Sequence, residues 1–197
     1  MKGAGVANLI KRARISAKKL AIIAVFAALT IALNLSPIKI PAPYAPYLIY
    51  QVWEIPIVAA FLLYGFSAGI AIAVLNMLVL LMVFPGMLLT GPLYNLAAII
   101  SMLVGISIPK IVHKNPKANR QVVVALITTF GIVFRVAIMT FVNWAFLRFP
   151  PPVGFGYPEP VIIASLPLIA LFNATLALYT VPLGYAIAET IKLHVRV

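Results

Sequence analysis

Few residues in this chain could do chemistry, and their types exclude most of it. Asp and Glu together number three, all of them glutamate (Glu54, Glu159 and Glu189); there are two His and no Cys. Without cysteine there is no disulfide, iron–sulfur cluster or thiolate metal site. Without aspartate, and with the three glutamates scattered, there is no paired-carboxylate or two-metal centre. The Gly-rich loop followed by Lys-Ser/Thr that cradles nucleotide phosphates does not occur either. His113 and His194 lie far apart, each among basic residues, and read as solvated side chains rather than metal ligands. An enzyme needs a nucleophile with a base, or metal ligands, within reach. This set supplies neither, so the chain is expected not to be an enzyme and to hold no metal or cofactor.

What remains is polar groups set in strongly apolar surroundings: Glu54, Asn76, Asn95, Arg135, Asn143 and Asn173. Each is costly in hydrocarbon and tends to face a cavity or a partner. The elements that must position them are membrane helices. Hydrophobic residues make up 64% of the 197 and charged residues only 9%, against about 45–50% and about 25% in soluble domains. The mean hydropathy is +1.12. Apolar runs punctuated by Pro, Gly and charge give six spans, about 19–36, 51–66, 68–84, 92–111, 121–147 and 161–190. A bilayer core of about 30 Å needs about 20 helical residues; the second and third spans are short, and the fifth and sixth are long. The expectation is a single all-α transmembrane domain over 1–197, with a basic segment at 1–18 and a six-helix bundle over 19–191.

The fifteen Lys and Arg fix the orientation. Six precede the first span, Lys110, Lys114, Lys117 and Arg120 join the fourth to the fifth, and Lys192 and Arg196 follow the sixth. With six spans all three blocks fall on one side, which the positive-inside rule makes cytoplasmic; both termini are then inside. The net charge of +12 reflects topology rather than nucleic-acid binding. A cleaved signal peptide is the rival reading of the first span.

In this frame Glu54, Asn95, Asn143 and Asn173 all fall in the outer half of the membrane, on four different helices. Asn143, five residues before Arg148, lies about 8 Å below the outer end at 1.5 Å per residue. A solute pocket opening outward fits this set, and hydrogen bonding between helices by isolated Asn residues is the alternative. The outer loops, PIKIPAPYAPYLIY at 37–50 and RFPPPVGFGYPEP at 148–160, are rich in Pro and aromatics. They suit a cover for a planar ligand, or equally an interfacial aromatic belt. The first span repeats small residues every four positions at Ala24, Ala28 and Ala32. Such a stripe admits close helix approach, either within the bundle or from a separate membrane protein. Arg135, in mid-span, requires a partner that the sequence does not disclose.

At these residues the chain resembles the substrate-binding S components of energy-coupling-factor (ECF) vitamin transporters, most closely the riboflavin-specific branch. The stretches that carry the resemblance are IPAPYAPYLIYQVWEIP at 40–56, YG-x3-G at 64–69, TGPLYNLA at 90–97, FRVAIMTFVNW at 134–144 and LFNATL at 171–176. The resemblance implies a six-helix plasma-membrane protein that binds riboflavin from outside and hydrolyses no ATP. A transmembrane coupling protein and two ATPase subunits on other chains would supply the energy. It implies substrate contacts from Tyr47, Tyr50, Glu54, Tyr94, Asn95, Asn143 and Asn173, and a coupling-protein face at Ala24, Ala28 and Ala32. Two positions depart from the riboflavin branch: Gln51-Val52-Trp53 stands where an acidic residue is usual, and Leu176 where Lys is frequent. A related flat vitamin, or a self-sufficient secondary transporter using Arg135 and Glu54, are the alternatives.

Overall fold

The computed structural model describes residues 17–84, 90–112 and 119–194. Six helices and one hairpin follow in order: α1 (Ala17–Leu35), β1 (Ile40–Ala42), β2 (Ala45–Tyr50), α2 (Glu54–Tyr64), α3 (Phe66–Val83), α4 (Thr90–Val112), α5 (Arg120–Phe146) and α6 (Glu159–His194). Each expected span has its helix. Most of the basic N-terminal segment and the whole of 113–118, His113 included, lie outside the described residues.

Two features depart from a plain six-span bundle. The Pro-rich stretch after α1 is an antiparallel β-hairpin, with Ile40 opposite Tyr50 and Pro41 opposite Ile49. And α2 has only 11 residues, about 16 Å of helix, roughly half the bilayer core. Its residues from Glu54 to Phe61 are all buried. A helix that is apolar all round belongs inside a bundle, and α2 packs against α1, α3 and α6. Gly65, at φ +90°, closes it by donating its N–H to the Phe61 carbonyl, a backbone angle that suits glycine alone. The chain then enters α3 without a loop.

Four helices, α3 to α6, are long and apolar enough to cross a membrane, and α1 and α2 are shorter apolar helices. The outward surface carries large apolar side chains such as Val25, Leu75, Met82, Val133, Phe141 and Leu178. So much contiguous apolar surface marks a face turned to lipid. The chain is a multi-pass helical membrane protein.

Few polar contacts hold the helices; close packing does most of it. Asn34 donates to Asn76 at 3.2 Å, tying α1 to α3 in a buried pair. Asn76 is thereby a helix-to-helix contact. Gly105 sets the approach of α4 to α5: a Cβ there would fall on the Phe130 carbonyl oxygen and 2.9 Å from the Phe134 Cβ. Along α6, a Cβ at Gly184 would come within 2.7 Å of Val58, so α2 and α6 touch closely as well.

This yields a stability prediction. Gly105→Leu should force α4 and α5 apart and lower stability by about 1–3 kcal/mol or more, the usual overpacking range. Gly91→Ala, where nothing lies within 4 Å of the added carbon, should leave it unchanged. Thermal unfolding in detergent, followed by circular dichroism, checks both; equal melting temperatures for Gly105→Leu and the parent would contradict the close approach.

Candidate functional site

On α5 one buried row advances in steps of four: Ile127, Gly131, Arg135, Met139 and Asn143. Residues four apart stack on one helix face, so Arg135 and Asn143 both point inward. On α6 the buried row includes Ile169, Asn173 and Leu176. The N-terminal turn of α2 supplies Glu54, and the first turns of α4 supply Tyr94 and Asn95. With Leu48, Ile49 and Gln51 from the hairpin strand and its exit, these side chains line a partly open cavity of about 150 Å³. The cavity lies where α2 and α4 begin and α5 nears its end, beside the stretch Ile169 to Leu176 well inside α6. The opposite end of the bundle carries Arg120, Glu189, Lys192 and His194.

The partner that the sequence did not disclose is Glu54. Arg135 Nη2 donates to Glu54 Oε1 at 2.9 Å, and Nη1 to the second carboxylate oxygen. Arg135 Nε donates to Asn173 Oδ1 at 2.9 Å, and Asn173 Nδ2 donates to the Ile169 carbonyl at 2.9 Å. Both charged side chains are 3% exposed. A bidentate fork with further hydrogen bonds is the geometry that makes a buried pair tolerable. Counting spans inward from their ends sets Glu54 at a membrane end. The short α2 instead starts at the level of Arg135.

Five of the seven expected ligand residues, Glu54, Tyr94, Asn95, Asn143 and Asn173, line this one cavity. The carboxylate of Glu54 is engaged by Arg135. Tyr47 and Tyr50 stand apart. Tyr47 is 64% exposed. Tyr50 lines a neighbouring apolar groove with Ile38, Ile40 and Tyr179, packs on Phe172 at 5.0 Å between centroids, and shares a 2.5 Å hydrogen bond with Tyr44. Burial, then that bond, pushes the Tyr44 phenol up to about 12, so it remains neutral. Tyr179 donates to the Gln51 carbonyl at 2.6 Å, fastening the hairpin's exit to α6. The 148–160 loop contributes nothing to the cavity wall; it folds on itself, with Gly156 donating to the Phe149 carbonyl at 2.8 Å.

Residue-type reasoning missed Gln51, Trp53, Met139 and Phe172 as wall residues. The step of four from Arg135 to Asn143 pointed to Met139. Nothing in the sequence pointed to Phe172.

The wall has polar atoms to spare. Buried Gln51 Oε1 and Tyr94 Oη have no hydrogen-bond partner among the described residues. Asn143 gives one N–H to the Met139 carbonyl at 2.7 Å and keeps its oxygen and second N–H. Buried polar groups are ordinarily paired, so unpaired donors and acceptors around a cavity are what a polar solute would satisfy. Among the described residues no three His, Cys, Asp or Glu cluster as metal ligands.

On α1, Ala24, Ala28 and Ala32 are all exposed, while Ile23, Ala27, Thr30 and Asn34 face the bundle. The row is therefore outside, and internal packing is not its role.

No family model matches the sequence, and no curated protein does. Among solved structures, the chain is similar in fold to the S component of a bacterial ECF transporter. The TM-score is 0.58 at 20% identity, over 91% of this chain and 94% of that one. The likeness extends across the whole bundle and is one of fold.

The ion pair makes its own prediction. Removing one partner, as in Arg135→Leu or Glu54→Leu, strands a buried charge and should cost about 3–5 kcal/mol; replacing both by apolar residues should be close to neutral. Denaturant or thermal unfolding of the two single variants and the double variant checks this, and a double variant less stable than either single one would contradict it.

Proposed function

We propose that the chain is the substrate-binding S component of an ECF-type transporter and that its ligand is riboflavin. The single observation that carries this is the cavity: one site where Gln51, Tyr94 and Asn143 hold unpaired polar atoms, and Asn173 one remaining N–H, between apolar walls. The fold likeness to an ECF S component supports the class, and the sequence resemblance supports the branch. A flavin presents ring carbonyls and nitrogens on one edge and hydroxyls on its side chain, which amides and a phenol can match. A related flat vitamin is the second reading, favoured by Leu176, which lines the cavity where the riboflavin branch often carries a lysine.

The chain would bind solute from the outside, at the cavity end, with both termini and the basic end of the bundle cytoplasmic. The sequence carries no Gly-rich phosphate loop with Lys-Ser/Thr, and two ATPase subunits and a transmembrane coupling protein on other chains would drive release. The exposed row Ala24, Ala28 and Ala32 would be the coupling-protein face, where small side chains let a foreign helix come close. A secondary transporter would need titratable groups free to exchange ions near the midplane; Arg135 and Glu54 instead satisfy each other.

Two measurements test this. Quenching of flavin fluorescence should report tight riboflavin binding by the detergent-solubilised protein. Asn143→Leu and Asn173→Leu should each weaken it about 5- to 150-fold, the effect of leaving a ligand atom unpaired at about 1–3 kcal/mol. If both variants bind like the parent, the site is elsewhere. For docking, Ala28→Leu should abolish co-purification with the coupling protein while leaving riboflavin affinity intact; retained association would remove the alanine row from that role.

A further inference from the structure

Arg135 lines the cavity, yet its guanidinium is engaged elsewhere. Beyond Asn173 and the two oxygens of Glu54, Nη1 also reaches the Met102 sulfur at 3.7 Å. Two consequences follow for anything that enters the cavity, given that it is the vitamin site proposed above.

The first concerns charge. Glu54 and Arg135 cancel, and the remaining wall residues are all uncharged. A ligand bearing a phosphate or carboxylate would find no free counter-ion, and a buried charge without a partner is heavily penalised. The second concerns polarity. Asn173 accepts from Arg135 Nε and donates to the Ile169 carbonyl. A flipped amide would set its NH2 against the Arg135 N–H and its oxygen against the Ile169 carbonyl. The orientation is therefore forced. What remains on Asn173 is one N–H and a lone pair on an oxygen already loaded by a cation's N–H. Accepting that charge-assisted bond polarises the amide and strengthens its free N–H as a donor. Asn143 differs: it leans only on the Met139 carbonyl of its own helix, with its oxygen unengaged.

We infer that Arg135, held by Glu54, is a positioning residue that fixes Asn173 as a hydrogen-bond donor, so that the cavity selects an uncharged ligand presenting a carbonyl or ring-nitrogen acceptor to Asn173. Arg135 does not serve as an anion receptor.

Riboflavin and its 5′-phosphate, which share every ring atom, are the probes. The parent should bind riboflavin at least about 100-fold more tightly than the phosphate, since the phosphate would sit without a partner. Arg135→Lys keeps a charge opposite Glu54 but loses the planar fork that reaches two groups at once. It should weaken riboflavin about 5- to 150-fold, as should Asn173→Leu. The two losses should not multiply: Arg135→Lys/Asn173→Leu should match Asn173→Leu within about threefold, because coupled sites are non-additive. Arg135→Lys/Asn143→Leu should show the full product, a contrast that general loosening of the bundle would not produce. Should Arg135→Lys fail to fold, Glu54→Leu/Arg135→Met replaces it in the same cycle. Full multiplication at 135 and 173, or equal affinity for the phosphate, overturns the inference while leaving the flavin site intact. A parent that binds neither probe overturns both.

Discussion

A guanidinium buried among apolar helices has to be neutralised, and much of this structure follows from how that is done. Arg135 sits on the inward row of α5, and its carboxylate comes from α2, 81 residues earlier in the chain. For Glu54 to meet it, α2 must begin inside the bundle rather than at its rim. The 11-residue length of α2, its burial on all sides and the hairpin that precedes it are the geometric means to that end. A full-length second span, with its glutamate at the membrane surface, would leave Arg135 without a partner. The pair also joins three elements at one point, because the same guanidinium reaches Asn173 on α6. The site and the bundle's polar centre are therefore one structure.

The helices were legible in the sequence, because hydrophobic runs bounded by Pro, Gly and charge leave little choice in a chain so apolar. Several site residues were legible for a related reason: an Asn or Glu within such a run is costly enough to be informative on its own. The fold of the 37–50 stretch was not. Proline density argues for restricted backbone, yet Pro41 fits here within the short first strand of a two-stranded ribbon. Tyr47 and Tyr50 stand outside the cavity wall, Tyr50 in the neighbouring groove. Leu48 and Ile49 of the second strand line the cavity, whereas Tyr47 beside them is exposed. The partner of Arg135 is not legible from span ends, because depth counted from them assumes that every helix crosses the bilayer fully.

At about 150 Å³ the cavity is smaller than the roughly 300–1,000 Å³ of typical ligand pockets. Its neighbour, the apolar groove of about 280 Å³ beside Tyr50 and Tyr179, is separated from it by Gln51, which lines both. Gln51 also carries the carbonyl that Tyr179 holds and an amide oxygen left unpaired. A planar solute larger than the cavity would thus meet, at its boundary, a side chain with hydrogen-bonding capacity unspent and an apolar surface beyond. The hairpin is attached by aromatic contacts and single hydrogen bonds rather than by the tight glycine-mediated packing that joins α2 to α6 and α4 to α5.

The same reasoning separates the two surfaces that the proposed function requires. The cavity is built from the hairpin, α2, α4, α5 and α6, whereas the alanine row belongs to α1, which packs on α2 and α3. Through the Asn34–Asn76 pair α1 is anchored to α3, a helix that supplies no side chain to the cavity wall. A helix held in this way can present small residues outward without disturbing the donors and acceptors inside. Among the described residues α2 both packs on α1 and lines the cavity, and the hairpin, which also lines it, follows α1 after four residues. An effect of one surface on the other has two direct routes, the hairpin that continues from α1 and the short helix that carries Glu54, and the ion pair is the polar contact that a movement of that helix would strain first.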